Sequence, residues 1–255
     1  MQNTSATYKS ILNGGYYETE VKVLIQNTGG TMTEYTERNL TEVSVSWSAF
    51  GDTNLTIGSA CLGSCRIGLI SDDYSGKELS RTIPRGTRME IYERIYNGSQ
   101  TSEWLPQGVF FVDARDDTTW TGRLMLDGVD AMVFADALYP ETEDGWPAQG
   151  KTDAAVVSVI ARKMGVSVDS GTQLGNAYPI PFPGTYTMRE VLRYIGAMYC
   201  GNWIITKEGK LLLLKLDALP PETNYLINNA GENITIGDGN NRIILRPGGV
   251  YIEYA

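Results

Sequence analysis

The sequence of 255 residues contains no histidine. Histidine is the commonest general base and metal ligand in proteins, so its absence removes the usual Ser–His and Cys–His nucleophile arrangements. The sequence also lacks a Gly-x-Ser-x-Gly elbow, a phosphate-binding loop and a dinucleotide-binding glycine motif. We therefore predict a protein without enzymatic activity and with no cofactor and no metal.

Cysteine is scarce, with Cys61, Cys65 and Cys200 as the three examples. An odd, small number argues against a disulfide framework and favours folding in a reducing compartment. A structural zinc site needs four nitrogen or sulfur ligands in paired spacing, which these residues do not supply. We expect all three to be small buried apolar side chains.

Long apolar runs and basic clusters are also missing. No run approaches the roughly 20 residues of a membrane-spanning helix, and no basic start precedes an apolar stretch at the N-terminus, so we expect no spanning segment and no secretory signal. The formal net charge is −9 and the pI is about 4.7. An acidic surface is unsuited to gripping nucleic acid, but it suits a surface along which DNA passes without binding.

An alternation of apolar and polar residues dominates residues 19–126 and predicts six or seven short strands. We expect an antiparallel β-barrel over residues 19–139, preceded by an N-terminal arm at 1–18. The segment "GVDAMVFADALY" is predicted to form a short helix that closes one end. Its expected apolar face consists of Ala131, Val133, Phe134 and Leu138.

Residues 140–150 have the proline, glycine and acidic content of a linker. An α/β domain is predicted over residues 151–219, with a first helix from Thr152 to Met164 that stops at Gly165. Prolines on alternate positions, Pro179, Pro181 and Pro183, require an extended segment outside a sheet centre.

The segment from Tyr186 to Leu216 predicts a second helix and a hairpin. Thr187 and Glu190 have the spacing of a capping box, and Gly201 is expected to end the helix. Leu211–Leu214 is apolar at every position. We therefore expect both faces of that strand to be buried, one by the second helix and the other by the first helix or a neighbouring subunit.

Residues 220–255 alternate like the first strands of a second, partial β-barrel. A lone pair of strands is marginally stable in water. We expect this part to be completed by another subunit, or to belong to a longer protein.

Two features leave alternative functions open. Paired carboxylates among Asp113, Asp116 and Asp127 could serve a cell-wall hydrolase, since glycoside hydrolysis needs two carboxyl groups. The 25 aromatic residues, of which 15 are tyrosine, are typical of interaction surfaces or of a carbohydrate-binding β-module. The candidate interface residues are Tyr16, Tyr17, Trp104, Tyr139, Trp146 and Tyr178, with Tyr186 and Tyr199 as further anchors.

The order of five motifs resembles the tail-hub, or baseplate hub, proteins of tailed phages and prophages. The motifs are "LTIGSACLGSCRIGL", "LDGVDAM" within a strand-to-helix turn, "TDAAVVSVIARKMGV", "YPIPFP", and the Thr-x-Arg-x-x-Leu helix followed by the "EGKL" hairpin. Leu126, Asp130 and Met132 match the turn, and Thr187, Arg189 and Leu192 match the helix. The resemblance covers residues 19–220.

The resemblance implies a homotrimeric structural ring at the tail tip. Such a ring joins the tail tube or distal tail protein to a spike or tip protein, and DNA passes through its lumen without specific binding. It also implies a virion protein assembled in the cytoplasm of a bacterial host.

Overall fold

The computed structural model describes residues 4–50, 56–70, 82–116, 123–175 and 178–215, together with the backbone of four short strands between residues 224 and 253. The chain divides into two compact units, Met1–Leu214 and Lys215–Ala255. In the described part, no helix is both long and apolar enough to cross a membrane.

The first unit begins with a short helix and a seven-stranded antiparallel sheet. The helix, α1, has Ser5 as its N-cap and buries Ile11. The elements are α1 (Ala6–Asn13), β1 (Glu18–Gln26), β2 (Met32–Tyr35), β3 (Leu40–Ser46), β4 (Ser64–Ile70), β5 (Arg88–Tyr96), β6 (Leu105–Asp116) and β7 (Arg123–Asp130). The predicted number of strands and the mainly β character are confirmed.

The sheet is not closed into a barrel, so the predicted closed barrel is not confirmed. The strand order is β2-β1-β5-β6-β7-β4-β3, which places β2 and β3 at opposite edges. Only residues 36–39 connect these two strands, and the backbone N–H of Leu40 donates to the Thr36 carbonyl across that turn (2.9 Å). The sheet must therefore curve until its edges approach each other, without a hydrogen-bonded ladder between β2 and β3 in the described residues.

The predicted helix after β7 is a 3-10 helix, Ala131–Asp136, and its apolar face differs from the prediction. Of the predicted face, Ala131 is buried, whereas Phe134 and Leu138 are exposed. The fully buried Met132 and Ala135 lie outside the predicted face. A 3-10 helix has three residues per turn, so residues spaced by three share one face. This period brings Met132 and Ala135 onto the buried side, and the predicted face assumed the α-helical period.

Two helices and a hairpin form the α/β part of the first unit. Their elements are β8 (Lys151–Thr152), α2 (Asp153–Met164), β9 (Pro179–Ile180), α3 (Met188–Met198), β10 (Gly201–Ile205) and β11 (Leu211–Lys215). The Thr152 side chain caps α2, and Gly165 ends it at φ 74°. The capping box of Thr187 and Glu190 is present at the start of α3. These boundaries agree with the prediction.

The end of α3 differs from the prediction. The helix ends before Gly201, which opens β10, and Cys200 takes the left-handed conformation at φ 50°. Cys200 is also exposed, whereas Cys61 and Cys65 are buried as expected. Glycine usually occupies such a position because it has no Cβ, so Cys200 carries a local backbone strain.

The apolar strand β11 is buried on one face only. Leu211 and Leu213 belong to a core cluster that also contains residues of both helices and the fully buried Trp203. Leu212 and Leu214 are half-buried. The alternative in which the two helices cover opposite faces is therefore wrong, because both helices contribute to the same cluster. Coverage of the second face by a neighbouring subunit stays a prediction.

The second unit contains a small antiparallel sheet. Its strands are β12 (Asn224–Tyr225), β13 (Thr235–Ile236), β14 (Asn241–Arg246) and β15 (Gly249–Glu253). The central strand β14 pairs with β12 and β13 at its two ends, and with β15 along its length.

Candidate interaction site

An apolar groove lies between α3 and the proline-rich segment that precedes it. Its volume is about 200 Å³. We call it the tyrosine–proline groove, and it is lined by Pro179, Ile180, Pro181, Phe182, Pro183, Tyr186, Val191, Tyr194, Ile195 and Met198.

One wall of the groove is the extended segment 179–183. It pairs with β8 through Lys151 and Ile180, and the Trp146 indole N–H, before β8, donates to the Ile180 carbonyl at 3.4 Å. The Trp146 ring also packs edge-on against Phe182, with ring centroids 5.5 Å apart. Because prolines lack an N–H, this wall offers few donors for strand addition and presents mainly an apolar surface.

The other wall is the outer face of α3. Val191 and Ile195 are buried at its base, while Tyr194 is 56% exposed. Tyr194 meets Tyr186 edge-on at 5.5 Å, and this neighbour raises the pKa of Tyr194. Tyr194 is therefore neutral at physiological pH, and its hydroxyl adds no charge to the groove.

Exposed apolar side chains continue beyond the groove. Leu138, which is bridged to Thr187, is 63% exposed. Tyr178 lies at the other end and packs edge-on against Tyr199 at 6.2 Å. Contiguous exposed apolar surface on a protein commonly marks an interaction site.

Three of the six candidate interface residues lie around this groove. Tyr178 is exposed at its end, and Trp146 supports its wall. Tyr139 is buried: its ring packs against Trp146 at 5.9 Å and its hydroxyl donates to Glu141 at 2.9 Å. Burial raises the pKa of Tyr139. The part that these residues play in an interface stays a prediction.

The other three candidates lie elsewhere. Tyr16 and Tyr17 are exposed between α1 and β1. Trp104 lies beside the sheet, where Lys22 Nζ is 4.7 Å and Arg94 Cζ is 4.4 Å from its ring centroid. These cations occupy ring surface that a sugar would need, which weakens the carbohydrate-binding alternative for this residue.

Sequence reasoning missed Tyr194 and Met198 as residues of the groove. Met198 is 37% exposed and lines the groove. A signal was present, because Tyr186 follows the alternating prolines and Tyr194 is an aromatic residue of the predicted second helix. Of the further anchors, Tyr186 lines the groove and Tyr199 donates to Asp153 beneath its end.

Two of the three candidate catalytic carboxylates line the same small pocket on the sheet. A bulge in β6 between Val112 and Ala114 brings Asp113 beside Asp127 of β7, whereas Asp116 is not part of this pocket. Bulges often redirect a side chain in this way.

Each of the two carboxylates faces an arginine. Asp113 Oδ1 is 3.0 Å from Arg85, Asp127 Oδ1 is 3.7 Å from Arg66, and both carboxylate side chains are at least half exposed. Such ion pairs are typical of a solvated surface, whereas a catalytic acid needs an apolar environment. Within the described residues, no group of three acidic or cysteine side chains could hold a metal.

A hydrogen-bond network joins the sheet to the α/β part. Asp130 caps the 3-10 helix through the Met132 N–H (2.9 Å) and also accepts from the Gly63 N–H (2.7 Å). Arg189 of α3 donates to the carbonyls of Met132 (2.9 Å) and Ala60 (3.0 Å).

The same guanidinium forms a bidentate pair with Asp136 at the end of the 3-10 helix. A bidentate pair fixes orientation as well as distance. The network therefore holds the loop before β4, the 3-10 helix and α3 in one arrangement.

No family model matches the chain, and no curated protein matches it. Among solved structures, the chain is similar to the 43 kDa tail protein of prophage MuSo2 from Shewanella oneidensis, with a TM-score of 0.48 and 13% identity over 85% of this chain and 58% of that chain. It is also similar to the tail protein from Neisseria meningitidis MC58, with a TM-score of 0.47 and 15% identity over 81% of this chain and 54% of that chain. These structural neighbours are prophage or phage tail proteins, and the chain spans little more than half of their length.

Proposed function

We propose that the chain is a structural tail-hub subunit of a phage or prophage, which forms a trimeric ring between the tail tube and the tail tip or spike. The observation that carries this proposal is the network around Arg189. The motif residues that suggested the hub family lie at one junction: Asp130, Met132 and Arg189 through hydrogen bonds, and Thr187 through its bridge to Leu138. These residues are far apart in sequence and meet at one junction. Their meeting supports an architecture shared with hub proteins more strongly than the separate motifs do.

The tyrosine–proline groove is the surface we expect to contact a neighbouring subunit in that ring. It is apolar, contains two tyrosines, and lies beside the exposed Leu138. Tyrosine is enriched at protein interfaces because its ring supplies apolar area and its hydroxyl can form a hydrogen bond.

Mass photometry of the purified chain, alone and with its neighbouring tail proteins, tests this function. We expect particles of three times the 28.0 kDa subunit mass, or stable complexes with tube and tip proteins. A chain that stays monomeric at high concentration and does not bind tail proteins would contradict the proposal.

A Tyr194→Arg variant tests the groove separately from the ring. A charge placed in an apolar contact is expected to weaken association by about ten-fold or more. Gln100→Arg, in the exposed turn before β6, is the control and should associate like the unaltered chain. Equal association of both variants would assign the subunit contact to another surface.

The remaining alternatives have direct tests. If the intact chain cleaves cell-wall material and Asp113→Asn or Asp127→Asn abolishes cleavage, the hydrolase alternative replaces the structural one. Glycan binding that is lost in Trp104→Ala would favour the carbohydrate-binding module.

The acidic composition belongs to the same proposal. In a ring assembled in the bacterial host cytoplasm and carried in the virion, carboxylates on the inner wall would let DNA pass with little attraction. A structure of the assembled ring with those carboxylates on its outer surface would contradict this part.

A further inference from the structure

The two edges of the seven-stranded sheet leave backbone groups without a ladder partner. β2 pairs only with residues 23–26 of β1, although β1 pairs with β5 from residue 18 onward. On the opposite edge, β3 pairs with β4 alone. Among the described residues, the segment 18–22 and strand β3 therefore form two facing free edges, which we call the seam.

The sheet core is incompletely covered along this seam. Its fully buried members lie on β1, β4, β5, β6 and β7, and on residue 83. The members that are only partly buried are Val21, Tyr35, Leu40, Val43, Val45 and Trp47. All six lie on or directly beside the two edges, so the opening in the sheet is also an opening into apolar core.

Both edges contribute to one cavity of about 290 Å³. It is lined by Thr19, Glu20 and Val21 from one edge and by Glu37, Leu40, Thr41, Glu42 and Val43 from the other. Its charged lining consists of three carboxylates. The arginines that pair with two of them belong to strands farther from the seam: Glu20 pairs with Arg94 of β5, and Glu42 pairs with Arg66 of β4 and with Arg123 of β7.

We propose that the seam accepts an extended segment of a partner protein, which adds a strand between β1 and β3. The segment would place apolar side chains over Val21 and Val43, and lysine or arginine side chains outward against the glutamates. Strand addition satisfies both free edges with main-chain hydrogen bonds, and alternate side chains give specificity.

The charge of the cavity lining favours a basic occupant. Of the three lining glutamates, Glu37 lies outside these ion pairs, and a carboxylate there repels nucleic acid and acidic peptides and attracts a basic strand. An alternating sequence is required because successive residues of a strand point to opposite faces, one toward the core and one toward solvent. This inference stands on the sheet edges and does not depend on the tail-hub proposal.

The experiment uses a capped peptide of alternating valine and lysine with the seven-residue length of β3, and the intact chain. Fluorescence anisotropy measures binding, and hydrogen exchange with mass spectrometry locates it. We expect slower exchange at residues 18–22 and 40–46 together, with exchange in β5 and β6 unchanged. A peptide in which glutamate replaces lysine should not bind.

A single substitution tests the charge preference. Glu37→Lys, in the turn between β2 and β3, should weaken binding of the lysine peptide about five-fold, whereas Glu143→Lys, exposed in residues 140–150, should leave it unchanged. The inference is overturned if neither edge is protected, if only one edge is protected, or if the lysine and glutamate peptides bind equally well.

Discussion

Asp130 is the residue on which the junction between sheet and helices depends. It is 1% exposed, and each of its carboxylate oxygens accepts one backbone N–H. Burial raises the pKa of Asp130 to about 6, against the opposing effects of these hydrogen bonds and of Arg189. Because this buried carboxyl accepts from two backbone N–H groups, the stability of the junction depends on pH.

The raised pKa predicts how the stability difference between the unaltered chain and Asp130→Asn changes with pH. The folded chain holds the proton more tightly than the unfolded chain, so this group contributes most below pH 4 and progressively less as pH rises through about 6. The free energy of unfolding of the unaltered chain, relative to the variant, should fall by about 3 kcal/mol at most between pH 4 and 7.

Urea unfolding of both proteins across that range, followed by tryptophan fluorescence, measures the difference. The variant also loses an acceptor at every pH, because its amide nitrogen cannot accept from an N–H, and this loss shifts the whole curve without changing its slope. A difference that is flat or rises with pH would contradict the argument.

At the scale of the element, strand β11 shows how a uniform apolar run acquires two unequal faces. Leu211 is fully buried in the cluster with both helices, whereas Leu214 is half-buried. The sequence alone cannot separate these residues, since both are leucines in one run.

The same substitution at Leu211 and at Leu214 should lower the free energy of unfolding by different amounts. Leu211→Ala should lower the free energy of unfolding by about 3 kcal/mol, because it leaves a cavity in a packed core, and Leu214→Ala by about 1 kcal/mol. Chemical denaturation of both variants provides the comparison. Equal losses would mean that the second face of β11 is as tightly covered as the first.

At the scale of the whole molecule, the two compact units differ in the size of the apolar core that they can bury. The first unit contains two core clusters, one in the sheet and one in the α/β part. The second, Lys215–Ala255, is short, and small units bury a smaller fraction of their surface on folding.

This difference predicts unequal hydrogen exchange in the isolated chain. Backbone amides of β14 and β15 should exchange at least about ten-fold faster than those of β5 and β6, because their sheet opens at a lower free energy. Mass spectrometry of peptides from the two units measures this ratio. Equal protection would show that the second unit is as stable alone as the first.

The sequence by itself determined the local elements. Alternation predicted six or seven strands over residues 19–126. Thr152, and Thr187 with Glu190, set the starts of the two helices, and Gly165 set the end of the first, because capping and periodicity act over a few residues. The proline segment was likewise recognisable as extended, since proline fixes its own backbone angle.

Only the tertiary structure decided how those elements meet. The open seam, the exposure of Tyr194 and Leu138, the buried Tyr139 and the meeting of Asp113 with Asp127 depend on pairing between strands and helices far apart in the chain. An alternating strand looks the same in a closed barrel and in an open sheet, because closure depends on the length and position of its edge strands. The short β2 leaves the seam open, and that opening underlies the further inference.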